Sequence, residues 1–185
     1  MRTAARSGVV VVRDASAEDA SAIAHVEVTT WQASYDGILP PHLLRTTSVP
    51  RARARWAHAL GAPSRSSIHV TIVALVEGEL VGFASGNARR AAPPRMARLD
   101  LLYVLPAFQR LGAGRALLRG FAARMESEGV SAMWLEVLAR NVPARRFYRA
   151  MGGAELDRIW RFMGTTPIVV VPHGWSLPMR PTLER

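Results

Sequence analysis

The segment Gln109-Arg110-Leu111-Gly112-Ala113-Gly114-Arg115 sets two glycines between an apolar run and the start of an amphipathic helix. That combination makes an anion site. The first turn of a helix carries unpaired N–H groups and the positive end of the peptide dipole. Glycine at 112 and 114 removes the Cβ atoms that would keep a diphosphate away from those amides. Arg110 and Arg115 flank the turn and can add charge-assisted hydrogen bonds. Gln-x-x-Gly-x-Gly alone has low specificity, because a chain with 14 glycines also spends them on turns and tight contacts. Two nucleotide motifs nevertheless lose ground. A P-loop needs Gly-Lys-Ser/Thr, and the chain has no lysine. A dinucleotide fingerprint needs a third glycine where Leu117 stands.

The elements that must position this loop follow from local pattern. Val9 to Arg13 is short and β-branched, hence a strand. Ser16 and Asp19 form a capping-box variant that opens a helix running to about Trp31. Asp36-Gly37 breaks the chain, and a second helix spans Arg51 to Leu60, ended by Gly61 and Pro63. Ile68 to Val76 and Leu80 to Ala84 around Glu77-Gly78 predict a hairpin, and Asn87 to Arg95 a polar loop. Leu99 to Leu105 is a strand stopped by Pro106. Gly112 to Glu128 is a helix with Leu117, Leu118, Phe121 and Met125 on one face. Ser131 to Leu138 reads as a strand and Pro143 to Met151 as a short helix. Two last strands are expected within Ala154 to Phe162 and Pro167 to Leu177. Helices interspersed with hairpins imply one mixed sheet covered by helices.

Length and composition agree with that architecture. The chain has 185 residues, 49% of them hydrophobic, enough for a core and for one domain over residues 1–185, with its core in 8–178. Cysteine is absent, which excludes disulfides, a thiol nucleophile and Cys-ligated metals. The net charge is +10, and every basic residue is arginine. A solvated arginine surface, nucleic acid or a polyanionic small molecule would each account for it. His25, His42, His58, His69 and His173 lack metal-ligand spacing, so no metal is expected. The apolar stretches Val70 to Val76 and Ile168 to Val171 fall far short of the ~20 residues of a membrane span. Val9 to Val12 is closed at once by Arg13 and Asp14, unlike a signal peptide. The expectation is a soluble, cytoplasmic protein.

Downstream of the glycine loop stands Trp134-Leu135-Glu136-Val137-Leu138-Ala139-Arg140-Asn141-Val142-Pro143-Ala144-Arg145-Arg146-Phe147-Tyr148, followed by Gly152-Gly153. The joint pattern of Val-x-Pro, Gln-x-x-Gly-x-Gly and Asn-x-x-Ala-x-x-Phe-Tyr resembles the GNAT superfamily of acyl-CoA-dependent N-acetyltransferases. It covers roughly residues 97 to 153. The stretch from Trp31 to Pro40 is similar to the first helix and exit loop of many members.

The resemblance implies a single GNAT-like α/β (α+β) domain. Its mostly antiparallel sheet would have about seven strands, splayed between the fourth and fifth. Pantetheine would lie in that gap, paired with backbone groups of Leu102, Tyr103 and Val104. Amides from Gln109, Arg110, Leu111, Gly112, Ala113, Gly114 and Arg115 would hold the pyrophosphate, and Asn141 the pantetheine arm. Val104 N–H would polarise the thioester carbonyl. Tyr148 would be the general acid for the sulfur, although on its own pattern it reads as an amphipathic side chain packing beside Phe147. Where members often carry a glutamate as general base, this chain has Arg98. Asp100 and Glu136 are the replacements weighed, each equally readable as solvated or paired with an arginine. Trp31 and Tyr35 would wall the acceptor pocket, or else belong to the core.

The implied function is transfer of acetyl from acetyl-CoA to an amine acceptor, with no nucleic acid or membrane partner, in a monomer or homodimer. The alternatives are an acyl-CoA-binding module without turnover and, last, a nucleic-acid binder. That third class lacks any basic, aromatic-studded motif.

Overall fold

The β-branched runs pair as an antiparallel meander. The computed structural model describes residues 8–61, 66–90 and 95–179. Strands β1 (Val10–Asp14), β2 (Ser67–Val76), β3 (Glu79–Arg89) and β4 (Met96–Val104) follow one another across the sheet, each antiparallel to the last. β5 (Ala132–Leu138) then lies parallel to β4, and β8 (Thr166–Ser176) lies antiparallel to β5. The far edge is shared by β6 (Ala154–Glu155) and β7 (Ile159–Met163), both paired with β8. Among the described residues the sheet has eight strands, where about seven were expected. The stretch from Ala154 to Phe162 yields two strands because the chain leaves the ladder between Glu155 and Ile159.

Several boundaries move from their expected places. β3 continues to Arg89, where the polar sequence suggested a loop, because Ser67 of β2 pairs with it. Residues 91–94 of that expected loop lie outside the described residues, as does Pro63. Helix α1 (Ala20–Tyr35) runs one turn past Trp31 and ends where Asp36 turns extended and Gly37 takes a φ of 69°. A short α2 (Pro41–Leu44) precedes α3 (Val49–Gly61). The capping box forms as expected: the Asp19 carboxylate accepts the Ser16 N–H at 2.8 Å. Arg13 forks onto the same carboxylate at 2.7 and 2.8 Å and holds it below the usual carboxylate range.

Two apolar layers sandwich the sheet. On one face, α4 (Ala113–Ser127) buries Leu117, Leu118, Phe121 and Met125 against β2, β3 and β4. On the other, α1 and α3 close over Val73, Phe83 and Tyr103. Full burial of side chains such as Phe83 and Phe121 is worth roughly 1.5–3 kcal/mol each. A polar staple joins α1 to α3: Glu27 accepts Trp56 Nε1–H at 2.7 Å and Arg55 at 2.6 Å. A buried carboxylate is tolerable when it is bonded in this way.

Two irregularities in β4 make the site. Ser85 pairs with Leu101 but Gly86 with Leu99, so Asp100 is an unmatched bulge residue. Gly86 is obligatory there, since a Cβ would stand 2.1 Å from the Arg98 carbonyl oxygen and 2.8 Å from Phe121. Past the bulge, β4 parts from β5. Their pairing consists of Met96–Ala132, Ala97–Met133 and Arg98–Trp134. Beyond Arg98 and Trp134 the sheet is split, between its fourth and fifth strands.

Candidate active site

Strand alternation sets what the split presents. Leu105 N–H donates to Val81 across β3, so residues 101 and 103 also turn their amides to β3, and Leu102 and Val104 turn theirs into the split. Tyr103 therefore cannot offer its amide to a ligand in the gap, contrary to expectation. On the other lip, Ala139 N–H donates to Val169, so Glu136 and Leu138 face β4. Pro172, which has no N–H, stands opposite Glu136, where no ladder bond is lost. Four residues with outward amides thus line the gap. The Val104 carbonyl is taken by the Gln109 side chain at 3.1 Å, which leaves its N–H as the polar group directed into the gap.

The glycine loop closes the end of the split. Gly112 is the N-cap of α4 with a φ of 89°, which disfavours any side chain, and Arg110 before it sits at 68°. No side chain caps this turn, and the helical ladder starts with Ala116 N–H donating to the Gly112 carbonyl. A Cβ on Gly112 would meet nothing within 4 Å, so the space beside the turn is open. Gly114 serves packing: its Cβ would lie 3.4 Å from Phe147 of α5 (Val142–Ala150). The Asn141 side chain closes the start of α5, accepting Ala144 N–H at 3.2 Å. Its Oδ1 is thus engaged with the backbone, and its amide N–H groups are the donors left for a ligand.

All three tyrosines of the chain come to this region, from α1, β4 and α5. Tyr148 is buried among Phe147, His173 and Trp175, with ring centroids 5.0, 5.8 and 6.0 Å away, and burial pushes its hydroxyl well above the usual phenol range. Tyr35 and Tyr103 share a side-chain hydrogen bond, and burial raises both. Trp31 meets Tyr35 edge-on at 4.7 Å, and its indole N–H is buried without a partner.

The two carboxylates stand on opposite lips, just past the last paired rung. Asp100 accepts Asn87 Nδ2–H at 2.7 Å and lies 3.1 Å from Arg98, whose guanidinium covers the Trp134 ring at 5.1 Å. Burial raises the Asp100 carboxyl, while Arg98 and Asn87 pull it back. Glu136 accepts Arg161 Nε–H and Nη2–H at 3.1 and 2.8 Å. Arg140 donates to the carbonyls of Gly37 and Ile38 at 3.0 and 3.3 Å, tying the exit of α1 to the β5–α5 loop.

Sequence reasoning missed Arg140, Arg161, Asn87 and the group of Arg145, Glu155 and His173 behind Tyr148. The one local signal was Arg145, a helical turn before Tyr148; the rest meet across strands. Among the described residues no group of three or more His, Asp or Glu side chains can hold a metal ion, and no helix is long and apolar enough to cross a membrane.

Comparison with known proteins gives a consistent result. The profile of the Acetyltransferase (GNAT) family matches residues 30–152. The chain is 34% identical over 142 residues to YuaI, an uncharacterized N-acetyltransferase of Bacillus subtilis (strain 168), covering 76% of this chain and 78% of that protein. It is 31% identical over 117 residues to the [ribosomal protein bS18]-alanine N-acetyltransferase of Escherichia coli (strain K12), covering 59% of this chain and 76% of the relative. The fold matches the crystal structure of the PaiA N-acetyltransferase of Thermoplasma acidophilum in complex with coenzyme A. The TM-score is 0.68 at 19% identity, over 90% of this chain and 99% of that one.

Proposed function

This chain belongs to the GNAT acetyltransferase family, and from that premise we propose that it transfers acetyl from acetyl-CoA to the primary amine of a small molecule or peptide by direct attack, with Tyr148 as general acid. The observation that carries this is the split between β4 and β5, lined by outward amides and ended by an uncapped helix start.

The residues present fit the donor. Leu102 and Val104 offer strand-edge groups to a pantetheine chain, as a neighbouring strand would. The first-turn amides of α4, from Gly112 to Arg115, suit a pyrophosphate, because each donates to an anion at the positive end of the helix dipole. Arg110 and Arg115 sit beside it. Asn141 can donate its side-chain N–H while capping α5.

Amine attack needs carbonyl polarisation, a proton for the leaving sulfur and a base for the nitrogen. The nitrogen lone pair forms the new C–N bond as the C–S bond breaks. Val104 N–H faces the developing oxyanion. The Tyr148 hydroxyl gives its proton to the thiolate, and burial keeps that proton in place until then. The nitrogen gives its proton to Glu136 or Asp100. Glu136 is paired with Arg161 at 2.8 Å, whereas burial raises the Asp100 carboxyl above its ordinary value, which favours its taking a proton. Trp31 and Tyr35 wall the acceptor side, and Arg140 fixes the loop beyond them.

The decisive experiment follows free thiol release from acetyl-CoA over a panel of amines, amino acids and peptides. The panel includes an alanine N-terminus, the kind of acceptor named for the bS18-modifying relative. Glu136→Gln and Asp100→Asn then identify the base, whose loss removes the rising limb of the pH–rate profile. The ion pairing of both carboxylates favours a second reading, an acyl-CoA-binding module without turnover. Saturable binding with no thiol release across the panel would select it.

A further inference from the structure

One buried cluster takes no part in that chemistry. His173 of β8 has no solvent exposure and stands opposite Glu155 of β6. Its ring lies 5.8 Å from the Tyr148 ring and stacks on Trp175 at 6.5 Å. Nδ1 is 3.2 Å from the Val171 carbonyl, which makes Nδ1 the protonated nitrogen. Nε2 then faces Glu155 Oε2 at 3.5 Å, and both atoms are buried without a hydrogen-bond partner. Two acceptors pointed at one another in the interior need an explanation, and a single proton supplies it.

We propose that His173 and Glu155 form a proton-binding pair that makes His173 a positioning residue for Tyr148: uptake of a proton from solvent completes an Nε2–H···Oε2 bond and sets a positive charge against the phenol ring. The role at Tyr148 rests on that residue being the proton donor of the acyltransferase; the proton pair itself does not.

The surroundings fix the direction. From α5, Arg145 holds the other Glu155 oxygen and the Ala139 carbonyl, and Arg149 lies 3.7 Å from Oε2. β5 presents uncharged Leu135, and β8 itself adds Val171 and Trp175. Burial lowers the His173 pKa, Glu155 raises it, and both arginines lower it further. The ring is therefore neutral at pH 7 and charges only on the acid side of ~6.5. Once charged, it favours the phenolate that Tyr148 becomes after giving its proton to sulfur, and it ties β6 and β8 to the helix carrying that tyrosine.

NMR on the full chain, with labelled imidazole rings and 13Cζ-tyrosine, tests this between pH 4.5 and 8. The histidine resonance absent from His173→Gln is expected to titrate below ~6.5. The Tyr148 13Cζ signal, assigned with Tyr148→Phe, is expected to move with the same midpoint. Glu155→Gln should lower that midpoint by about one unit, since one favourable charge is lost. An unchanged midpoint in Glu155→Gln, or a Tyr148 signal that ignores the titration, overturns the proposal, and the wild-type measurement needs no variant to fold. In turnover, the kcat profile should carry the same midpoint and lose it in His173→Gln, with KM for acetyl-CoA within about twofold; an inflection that persists overturns the positioning role. A protein that shows the coupled titration but binds no acetyl-CoA upholds the proton pair and refutes the acyltransferase reading instead.

Discussion

Helices α4 and α5 start beyond the C-terminal ends of the parallel strands β4 and β5, yet they finish their first turns in opposite ways. α5 is closed by its own Asn141 side chain. α4 begins on a left-handed glycine with no side-chain cap. Pro143 in the first turn of α5 has no N–H, and Asn141 takes that of Ala144. Every first-turn residue of α4 keeps its N–H, so the two starts differ in what is left to satisfy. The chain caps α5 with its own side chain and leaves the start of α4 uncapped, where the proposed reading seats the diphosphate. The division continues along each helix: α4 buries four large apolar side chains in the main core, whereas α5 carries Tyr148 and an arginine clamp on Glu155. In the proposed reaction α4 is the base for binding, and α5 carries the proton donor Tyr148.

Substitutions on the two helices are expected to give different phenotypes. The largest effect is expected from Tyr148→Phe, which should lower turnover about 10²-fold while coenzyme A affinity stays within twofold. Equal activity would remove the acid role. Gly112→Val should weaken coenzyme A binding about tenfold or more, by calorimetry, because a β-branched residue at a φ of 89° cannot keep the turn. Unchanged affinity would place the phosphates elsewhere. Asn141→Ala should cost about 1 kcal/mol in denaturant unfolding through the lost cap. If it lowers coenzyme A affinity without touching stability, the cap matters less than a ligand contact from its amide.

The smallest effect is on pH dependence. His173 has a folded pKa below its unfolded value, so the unfolded chain binds more protons through that window. Its contribution to stability is full above ~6.5 and is lost as pH falls toward the folded pKa. Glu155 and Asp19, also depressed, follow the same sign at lower pH, below the ordinary carboxylate range. Thermal melts from pH 7 to 5 should therefore show falling stability that His173→Gln flattens.

Local spacing carried much of this into the sequence. The glycine bend, the apolar stripe of α4 and the Asn141 to Tyr148 pattern each lie within one element and its cap, where residue type alone dictates geometry. The Ser16–Asp19 capping box was legible for the same reason. What the sequence withheld depends on register. The bulge at Asp100 exists only relative to β3, and the turning of the Tyr103 amide away from the split follows from it. Glu155 meets His173 only because a two-residue strand happens to pair with β8. Arg140 reaches carbonyls at the far end of α1, a contact that no local pattern encodes.

Three rungs hold the two halves of the sheet together, and this has a consequence for hydrogen exchange. Amides of Leu102, Val104, Glu136 and Leu138 have no strand across from them and should trade their protons with solvent quickly, although they sit deep in the sequence of well-protected strands. Seating the thioester carrier would supply the partner on at least the β4 side, so protection should appear at Leu102 and Val104 in alternation with an unchanged Tyr103. The cofactor arm would then count, in kinetic terms, as a transient ninth strand.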